Sequence, residues 1–262
     1  MPVIEPTNQA VKSLQGLHLY HSGVSNCSMR VRLALEEKGL KWVSHHLNIL
    51  KKEHITEEYF GINPNGLVPT LVHDGRVIIE SDDIIEYIDD LVSETPLRPS
   101  DADELAIMET WLHRATGIHV GAVKTHIYEK RVRGQMSQSA EEKARYEKLQ
   151  TNPTLLEFHR KSSSDGFSQE ELDSAKATLD DCFDELEQAL DGRDWIAGDA
   201  FSLADIAWIP LHYTLHTLAG YSFADKPNVQ NWALRIMQRP SYETAVTEWW
   251  PTEMRPAVGE GS

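Results

Sequence analysis

The sequence has little cysteine and no long apolar run. Its only cysteines are Cys27 and Cys182, which are too few for a disulfide framework and are typical of a reducing compartment. No apolar stretch approaches the about 18 residues that a membrane helix needs. Residues 1–16 are polar and lack the apolar core of a signal peptide. We therefore expect a cytoplasmic protein with no membrane segment.

Positive charge is also scarce. The chain has 25 Lys and Arg residues against 41 Asp and Glu residues, which gives a net charge of −16. Such a field repels nucleic acid and anionic membranes, so the expected partner is a small molecule or another protein. Apolar residues make up 40% of the 262 residues, enough to form the core of one large domain or two ordinary ones.

The first half of the chain alternates between strand and helix patterns. Residues 17–20 alternate with a period of two, residues 25–38 have helical spacing, and residues 42–47 form a second strand pattern. Residues 70–79 then read as a hairpin that turns at Asp74-Gly75. Strands that alternate with helices and end in a hairpin predict an α/β domain over residues 17–92.

The second half looks helical throughout. A polar, proline-containing linker covers residues 93–100, and apolar residues beyond it, such as Trp111 and Ala115, share one face of a long helix. This pattern predicts an all-helical domain over residues 101–250. The domain contains an extended excursion near residues 131–166. Within it, residues 137–165 are polar, charged and partly serine-rich, so we expect at most local structure there.

One loop carries the first sign of a ligand site. Pro64 and Gly66 turn the chain before Pro69 opens an apolar strand, where the missing N–H of proline is tolerable. X-Pro bonds are the only common place for a cis peptide. A cis Val68-Pro69 bond would turn the backbone polar groups of Val68 outward, where an extended peptide could pair with them.

Two helix starts lie in the same strand-helix unit. Ser25 stands where the first strand passes into a helix, and Glu80-Ser81 stands at the start of another. Free amides at a helix N-terminus stabilise anions, and these segments would converge at one edge of the sheet. Together with the Val68-Pro69 turn they predict a receptor for a short acidic peptide that carries a thiol.

These residues resemble those of the cytosolic glutathione transferases, over residues 17–250 apart from the excursion. The resemblance implies a thioredoxin-like α/β domain followed by an all-α domain. In the first domain it rests on Leu19-Tyr20, Ser25-Asn26-Cys27-Ser28-Met29-Arg30-Val31-Arg32, Glu37-Lys38-Gly39, Asn63-Pro64-Asn65-Gly66, Val68-Pro69 and Glu80-Ser81. In the second domain it rests on Trp195-Ile196-Ala197-Gly198, Ser202-Leu203-Ala204-Asp205-Ile206 and Arg239-Pro240-Ser241-Tyr242.

The resemblance also implies glutathione as the cofactor and a homodimer as the assembly. It implies that Val68 pairs with the cysteinyl part of glutathione, that Pro69 is cis, and that Glu80 and Ser81 hold the γ-glutamyl end. Ser25 occupies the position of the hydroxyl that donates to the glutathione sulfur. A free thiol has a pKa of about 8.5, so a donor aimed at the sulfur would favour the reactive thiolate.

One position departs from the family. Leu67 stands where family members often have Lys or Gln before the Val-Pro pair, so that polar contact to glutathione is expected to be missing. The glycine carboxylate of glutathione then needs another cation, and Lys52 and His54 are the candidates.

Other residues leave alternatives open. Cys27, near the start of a helix, is an alternative catalytic residue for thiol-disulfide exchange, although no second cysteine stands nearby to resolve a mixed disulfide. His113, His119 and Tyr213 are candidates for the second-substrate pocket between the domains. No histidine spacing is diagnostic of a metal site.

Three functions are open, two of them suggested by resemblance to subgroups of the family. The excursion followed by residues 166–172 is similar to bacterial β-etherase-like transferases, in which glutathione thiolate displaces a phenoxide from an aryl ether. Residues 25–28 also resemble the zeta class, which includes isomerases of maleyl compounds. The third function, favoured by Leu67, is a non-catalytic binding module. We expect a transferase that acts on a hydrophobic, aromatic electrophile.

Overall fold

The computed structural model describes residues 3–132 and 139–251. Its N-terminal part is a five-stranded sheet with helices, which confirms the predicted α/β domain. The strands are β1 (Val3–Ile4), β2 (Leu17–His21), β3 (Trp42–His46), β4 (Thr70–His73) and β5 (Arg76–Ile78), and the helices are α1 (Asn26–Glu37), α2 (Glu57–Phe60) and α3 (Ser81–Leu91).

The strand order is β1-β5-β4-β2-β3. β2 and β3 are parallel, so the chain must cross over between them, and α1 makes that crossover. The other neighbours are antiparallel. β1 lies before the predicted start of the domain at residue 17, and it extends the sheet by pairing Val3 with Ile78.

The C-terminal part is helical in its described residues, as predicted. Its helices are α4 (Ala102–Gly117), α5 (Thr125–Ile127), α6 (Ala140–Leu149), α7 (Pro153–Arg160), α8 (Gln169–Ala189), α9 (Leu203–Ala219), α10 (Pro227–Met237) and α11 (Pro240–Ala245). π-helical turns follow α4 at His119–Lys124, α5 at Tyr128–Val132 and α7 at Lys161–Asp165. Short 3-10 turns cover Gln9–Ser13, Ile49–Lys51 and Thr247–Trp249.

The excursion is more ordered than its composition suggests. We expected at most local structure over residues 137–165, and this expectation is wrong because α6 and α7 lie within that range. Ser139 and Glu142 form a capping box at the start of α6, and Asn152 caps α7 ahead of Pro153. Charged helices of this kind fold by packing one face on a neighbour. Residues 133–138 lie outside the described residues.

The two parts share one hydrophobic core. A continuous cluster of buried side chains runs from the sheet through α1 to α9, and includes Leu19, Met29, Phe183 and Trp208. α1 packs on α3, α9 and α11, so its ends and loops lie at the junction of the two domains. Within the described residues, no helix combines the length and apolar character needed to cross a membrane.

Candidate active site

The Val68-Pro69 peptide bond is cis, as predicted. The loop before it is held because Leu67 O accepts hydrogen bonds from Tyr59 Oη (2.6 Å) and Asn63 Nδ2 (3.0 Å). In the described part of the chain, the N–H and C=O of Val68 itself make no hydrogen bond. The backbone of Val68 is therefore free to pair with an extended ligand.

Ser25 lies at the junction of β2 and α1. It is the N-cap of α1, and its Oγ accepts a hydrogen bond from Ser28 N at 3.3 Å. That bond uses a lone pair of the oxygen and leaves the hydroxyl proton available. Among residues 3–132 and 139–251 the Ser25 O–H has no acceptor. The side chain thus caps the helix and keeps a proton to donate to a ligand.

Glu80 and Ser81 lie at the start of α3. Glu80 has a φ of 66°, a left-handed conformation that strains a residue other than glycine and that clusters at ligand sites. Burial raises the pKa of its carboxyl group, and Asp82 and Cys27 raise it further. Ser81 is buried and its Oγ accepts from Arg30 Nη1 at 3.2 Å.

A buried arginine that sequence reasoning missed holds these elements together. The guanidinium of Arg30 is fully buried and also donates to Thr116 Oγ1 and Ala115 O at the end of α4, and to Ala207 O in α9. The guanidinium has several N–H donors in a rigid plane, so it can bond acceptors from different helices at once. Burial lowers the pKa of Arg30. The sequence feature that could have revealed this role is the position of Arg30 on the apolar face of α1.

The thiol of Cys27 contacts a histidine from the helical domain. Its Sγ lies 3.6 Å from His119 Nε2, which belongs to the π-helical turn after α4. Burial lowers the pKa of His119 well below its ordinary value, and Lys124 and Arg30 lower it further. A ring held neutral in this way does not favour taking the thiol proton.

The three second-substrate candidates are spread over the helical domain. His119 lies against Cys27 at the junction of the domains. His113 is exposed on α4 and its Nδ1 hydrogen bonds Glu109 O at 2.8 Å. Tyr213 is buried in the core, where its ring packs edge-on against Trp250 with the ring centres 4.8 Å apart. The structure therefore brings His119 to the junction and does not bring His113 or Tyr213 there.

Lys124 is a second residue that sequence reasoning missed. It lies at the end of the π-helical turn, and its ammonium is 5.7 Å from the centre of the Phe158 ring. Burial lowers the pKa of Lys124, while Cys27 and Glu80 raise it. No signal for its position was available, because a spacing of 3.6 residues per turn does not describe a π-helical turn.

Lys52 and His54 follow the 3-10 turn at Ile49–Lys51. Lys52 Nζ forms an ion pair with Glu142 Oε2 of α6 at 2.9 Å. Burial and Lys124 lower the pKa of His54 to about 4, and its buried Nδ1 has no hydrogen-bond partner in the described residues. His54 is therefore neutral at neutral pH and does not supply a positive charge there.

The segment we call the cover, residues 139–160 with α6 and α7, lies on the N-terminal domain. Gln150 Nε2 donates to Asn65 O at 2.8 Å, beside the cis-proline loop. The rings of Tyr146 and Phe60 pack edge-on with centres 6.4 Å apart. The cover therefore packs beside the cis-proline loop. Within the described ranges, no group of three or more His, Cys, Asp or Glu residues is placed to bind a metal.

Comparisons with known proteins agree with this geometry. The sequence matches the protein-family model of the glutathione S-transferase N-terminal domain over residues 24–91 and that of the C-terminal domain over residues 138–240. Glutathione S-transferase 1 of Dianthus caryophyllus is 31% identical over 215 residues, which cover 81% of this chain and 83% of that protein.

Two further relatives bear on the reaction. The LigF protein of Sphingobium is 29% identical over 86% of this chain and 91% of its own length. Its crystal structure, described as that of a β-etherase, gives a TM-score of 0.76 at 27% identity and covers 88% of this chain and 98% of that one. A zeta-class glutathione S-transferase of Euphorbia esula is 43% identical, but only over 35% of this chain and 40% of its own.

Proposed function

Because this chain belongs to the glutathione S-transferase family, we propose that it ionises the thiol of glutathione and directs the thiolate at an aromatic electrophile, with aryl-ether cleavage as the reaction. The observation that carries the proposal is the Ser25 hydroxyl, which has a free proton at the start of α1. The LigF relative, described as a β-etherase, supports the choice of reaction.

Four residues, together with the amides at the start of α3, would hold glutathione. The backbone of Val68 has its N–H and C=O free to pair with the cysteinyl part. Glu80, Ser81 and the amides at the start of α3 would receive the γ-glutamyl end, because a helix N-terminus attracts a carboxylate. Lys52 would attract the glycine carboxylate, since it already pairs with a carboxylate of α6 and the neighbouring His54 is neutral at neutral pH.

Ser25 would supply the activation. A free thiol with a pKa of about 8.5 is only a few per cent ionised at neutral pH. A hydrogen bond from the Ser25 O–H stabilises the thiolate over the thiol and lowers that pKa. The α1 dipole acts in the same direction, because its positive end lies beside Ser25.

The reaction is a nucleophilic substitution. A C–S bond forms as the C–O bond of the ether breaks, and the electron pair of that bond leaves on the phenolate oxygen. The residues of the cleft would raise the thiolate fraction and fix the angle of approach, which together supply much of the rate of such reactions.

Thiol transfer by Cys27 is a second candidate, and the contact between Cys27 and His119 at 3.6 Å favours it. Two observations weigh against it. His119 is held neutral, and Cys182 is buried in the core rather than placed as a resolving thiol. Isomerisation of maleyl compounds, a non-catalytic module, the cytoplasmic location and the homodimer remain predictions.

Two single variants test the proposal against its rival. The assay measures kcat/KM with glutathione and an α-aryloxy ketone, with a halogenated aromatic, a maleyl isomerisation substrate and a mixed disulfide as comparison substrates. Ser25→Ala is expected to lower ether cleavage about 100-fold, as the loss of one donor to a developing anion does. Cys27→Ala is the matched control and is expected to keep most of the activity.

The opposite pattern would assign the chemistry to Cys27 and reject the proposal. Turnover of the maleyl substrate alone would replace ether cleavage with isomerisation. Retention on immobilised glutathione without turnover of any substrate would make the protein a binding module.

A further inference from the structure

A π-helical turn sets the direction of two side chains in the cleft. In the turn His119–Lys124 the backbone bonds run five residues back, as Val123 N does to Ile118 O at 3.2 Å. Residues five apart lie on one face of such a turn, and π-helical turns are frequent at functional sites. His119 and Lys124 therefore share a face, and His119 places that face against Cys27 at the junction of the domains.

The ammonium of Lys124 lacks a close counterion among the residues that the structure describes. In the described part of the chain, no carboxylate lies within ion-pair distance of its Nζ. Its charged and titratable neighbours are Cys27, Glu80, His54 and His119, and none of them forms a salt bridge with it. A largely buried charge without a partner is costly, so an anion bound beside Lys124 would offset that cost.

One aromatic ring lies beside Lys124, and that ring belongs to a small aromatic cluster. The Phe158 ring of the cover lies 5.7 Å from Lys124 Nζ. Tyr128 packs edge-on against Phe158 with ring centres 5.4 Å apart, and Phe167 lies 5.7 Å from it on another side. A cation beside aromatic rings suits a ligand that is flat, aromatic and negatively charged.

The carboxylates of glutathione have other partners in the proposed function. The γ-glutamyl end would lie at Ser81 and the glycine end at Lys52, so Lys124 is left for the second substrate. We propose that Lys124, with Phe158, forms a subsite for an aromatic oxyanion, and that it receives the phenolate released from the electrophile. This inference rests on the proposed function and deepens it by naming the residues that bind the leaving group.

The role of Lys124 in the reaction is electrostatic. As the C–O bond breaks, negative charge develops on the phenolate oxygen, and the Lys124 ammonium stabilises that charge without giving up a proton. The phenolate takes its proton from water after release. Lys124 would increase the rate most for ethers of weakly acidic phenols, because their phenolates are poor leaving groups and depend most on stabilisation of the charge on the phenolate oxygen.

Equilibrium binding tests the subsite without any turnover. The probes are 4-nitrophenolate and its neutral relative nitrobenzene, titrated into protein saturated with S-methylglutathione. The wild-type protein is expected to bind the phenolate more tightly than nitrobenzene. Lys124→Met is expected to weaken phenolate binding at least about tenfold, with nitrobenzene binding unchanged, and Lys124→Arg is expected to retain most of the phenolate affinity.

Two controls separate the outcomes. Unchanged affinity of Lys124→Met for S-methylglutathione shows that the cleft is intact, and Phe158→Leu is expected to weaken both aromatic probes alike. Equal binding of the two probes to the wild-type protein, or equal phenolate binding by Lys124→Met and wild type, would overturn the subsite. If the wild-type protein does not cleave the ether, the proposed function is rejected. The phenolate titration would still test whether Lys124 binds an aromatic oxyanion.

Discussion

At the scale of single residues, the polar groups fall into two kinds: those whose hydrogen-bond donors all have partners, and those with a donor left for a ligand. Arg30 and Arg32 are fully buried, and their guanidinium groups donate to carbonyl, hydroxyl and imidazole groups around α1. Satisfied groups of this kind hold the fold together. Ser25 and Lys124 differ because a donor on each is left for a ligand.

His212 predicts how stability changes with pH. It is buried in α9 against the Phe223 ring, its Nδ1 has no partner in the described residues, and burial lowers its pKa to about 3. The unfolded chain takes up a proton below about pH 6.5, while the folded His212 stays neutral. Its contribution to stability is therefore lost as the pH falls from about 6.5 towards 3.

Replacing the ring isolates this effect. His212→Phe is expected to reduce the fall in the free energy of unfolding between about pH 7.5 and pH 5 by about 2 kcal/mol. Urea unfolding at the two pH values measures the difference. His113→Phe, at an exposed position of α4, is the control for placing phenylalanine at a histidine position. An unchanged fall in His212→Phe would show that His212 ionises normally in the folded state.

At the scale of elements, locally coded features were predictable and tertiary ones were not. α1 and the β4–β5 hairpin follow from a capping serine, apolar spacing and the Asp74-Gly75 turn. The cover was misjudged because its polar residues resemble a solvated loop, whereas contacts such as Gln150 with Asn65 dock it on the other domain. Lys124 was missed because a π-helical turn shifts the spacing of side chains.

The ion pair between Lys52 and Glu142 predicts a competition with glutathione. Glu142 of α6 holds the Lys52 ammonium at 2.9 Å, which is the cation proposed for the glycine carboxylate. Glu142→Gln is expected to free Lys52 and lower the Kd of glutathione about twofold, as the loss of a weak surface ion pair would. Lys52→Met is expected to raise that Kd. Calorimetric titration with glutathione measures both.

The substitution by glutamine controls for folding of the cover. Glutamine can still accept from Ser139 N in the capping box, so α6 should keep its helical signal. If Lys52→Met binds glutathione as tightly as the wild type, then Lys52 is only a contact for the cover.

At the scale of the whole molecule, the proposed site exists because two domains share a core. α1 carries Ser25 and Cys27 at its start. Arg30 of α1 donates hydrogen bonds to Ser81 of α3 and to Ala207 of α9, so it joins the two domains. Each motif proposed to bind glutathione lies in one short segment, so it can be recognised in the sequence. The second half of the cleft depends on how α4 and the cover pack on that segment, and no local pattern encodes such packing.

The pKa of the bound glutathione thiol shows whether the Ser25 hydroxyl activates glutathione. Titrating the ultraviolet absorbance of the thiolate with pH, in the wild type, Ser25→Ala and Cys27→Ala, gives the pKa of the bound thiol. We expect the pKa of the bound thiol to lie at least about one unit below the ordinary 8.5 in the wild type and in Cys27→Ala. In Ser25→Ala we expect this pKa to return towards 8.5. A bound thiol that titrates like free glutathione in the wild type, or a lowered pKa that survives in Ser25→Ala, would contradict this role of Ser25.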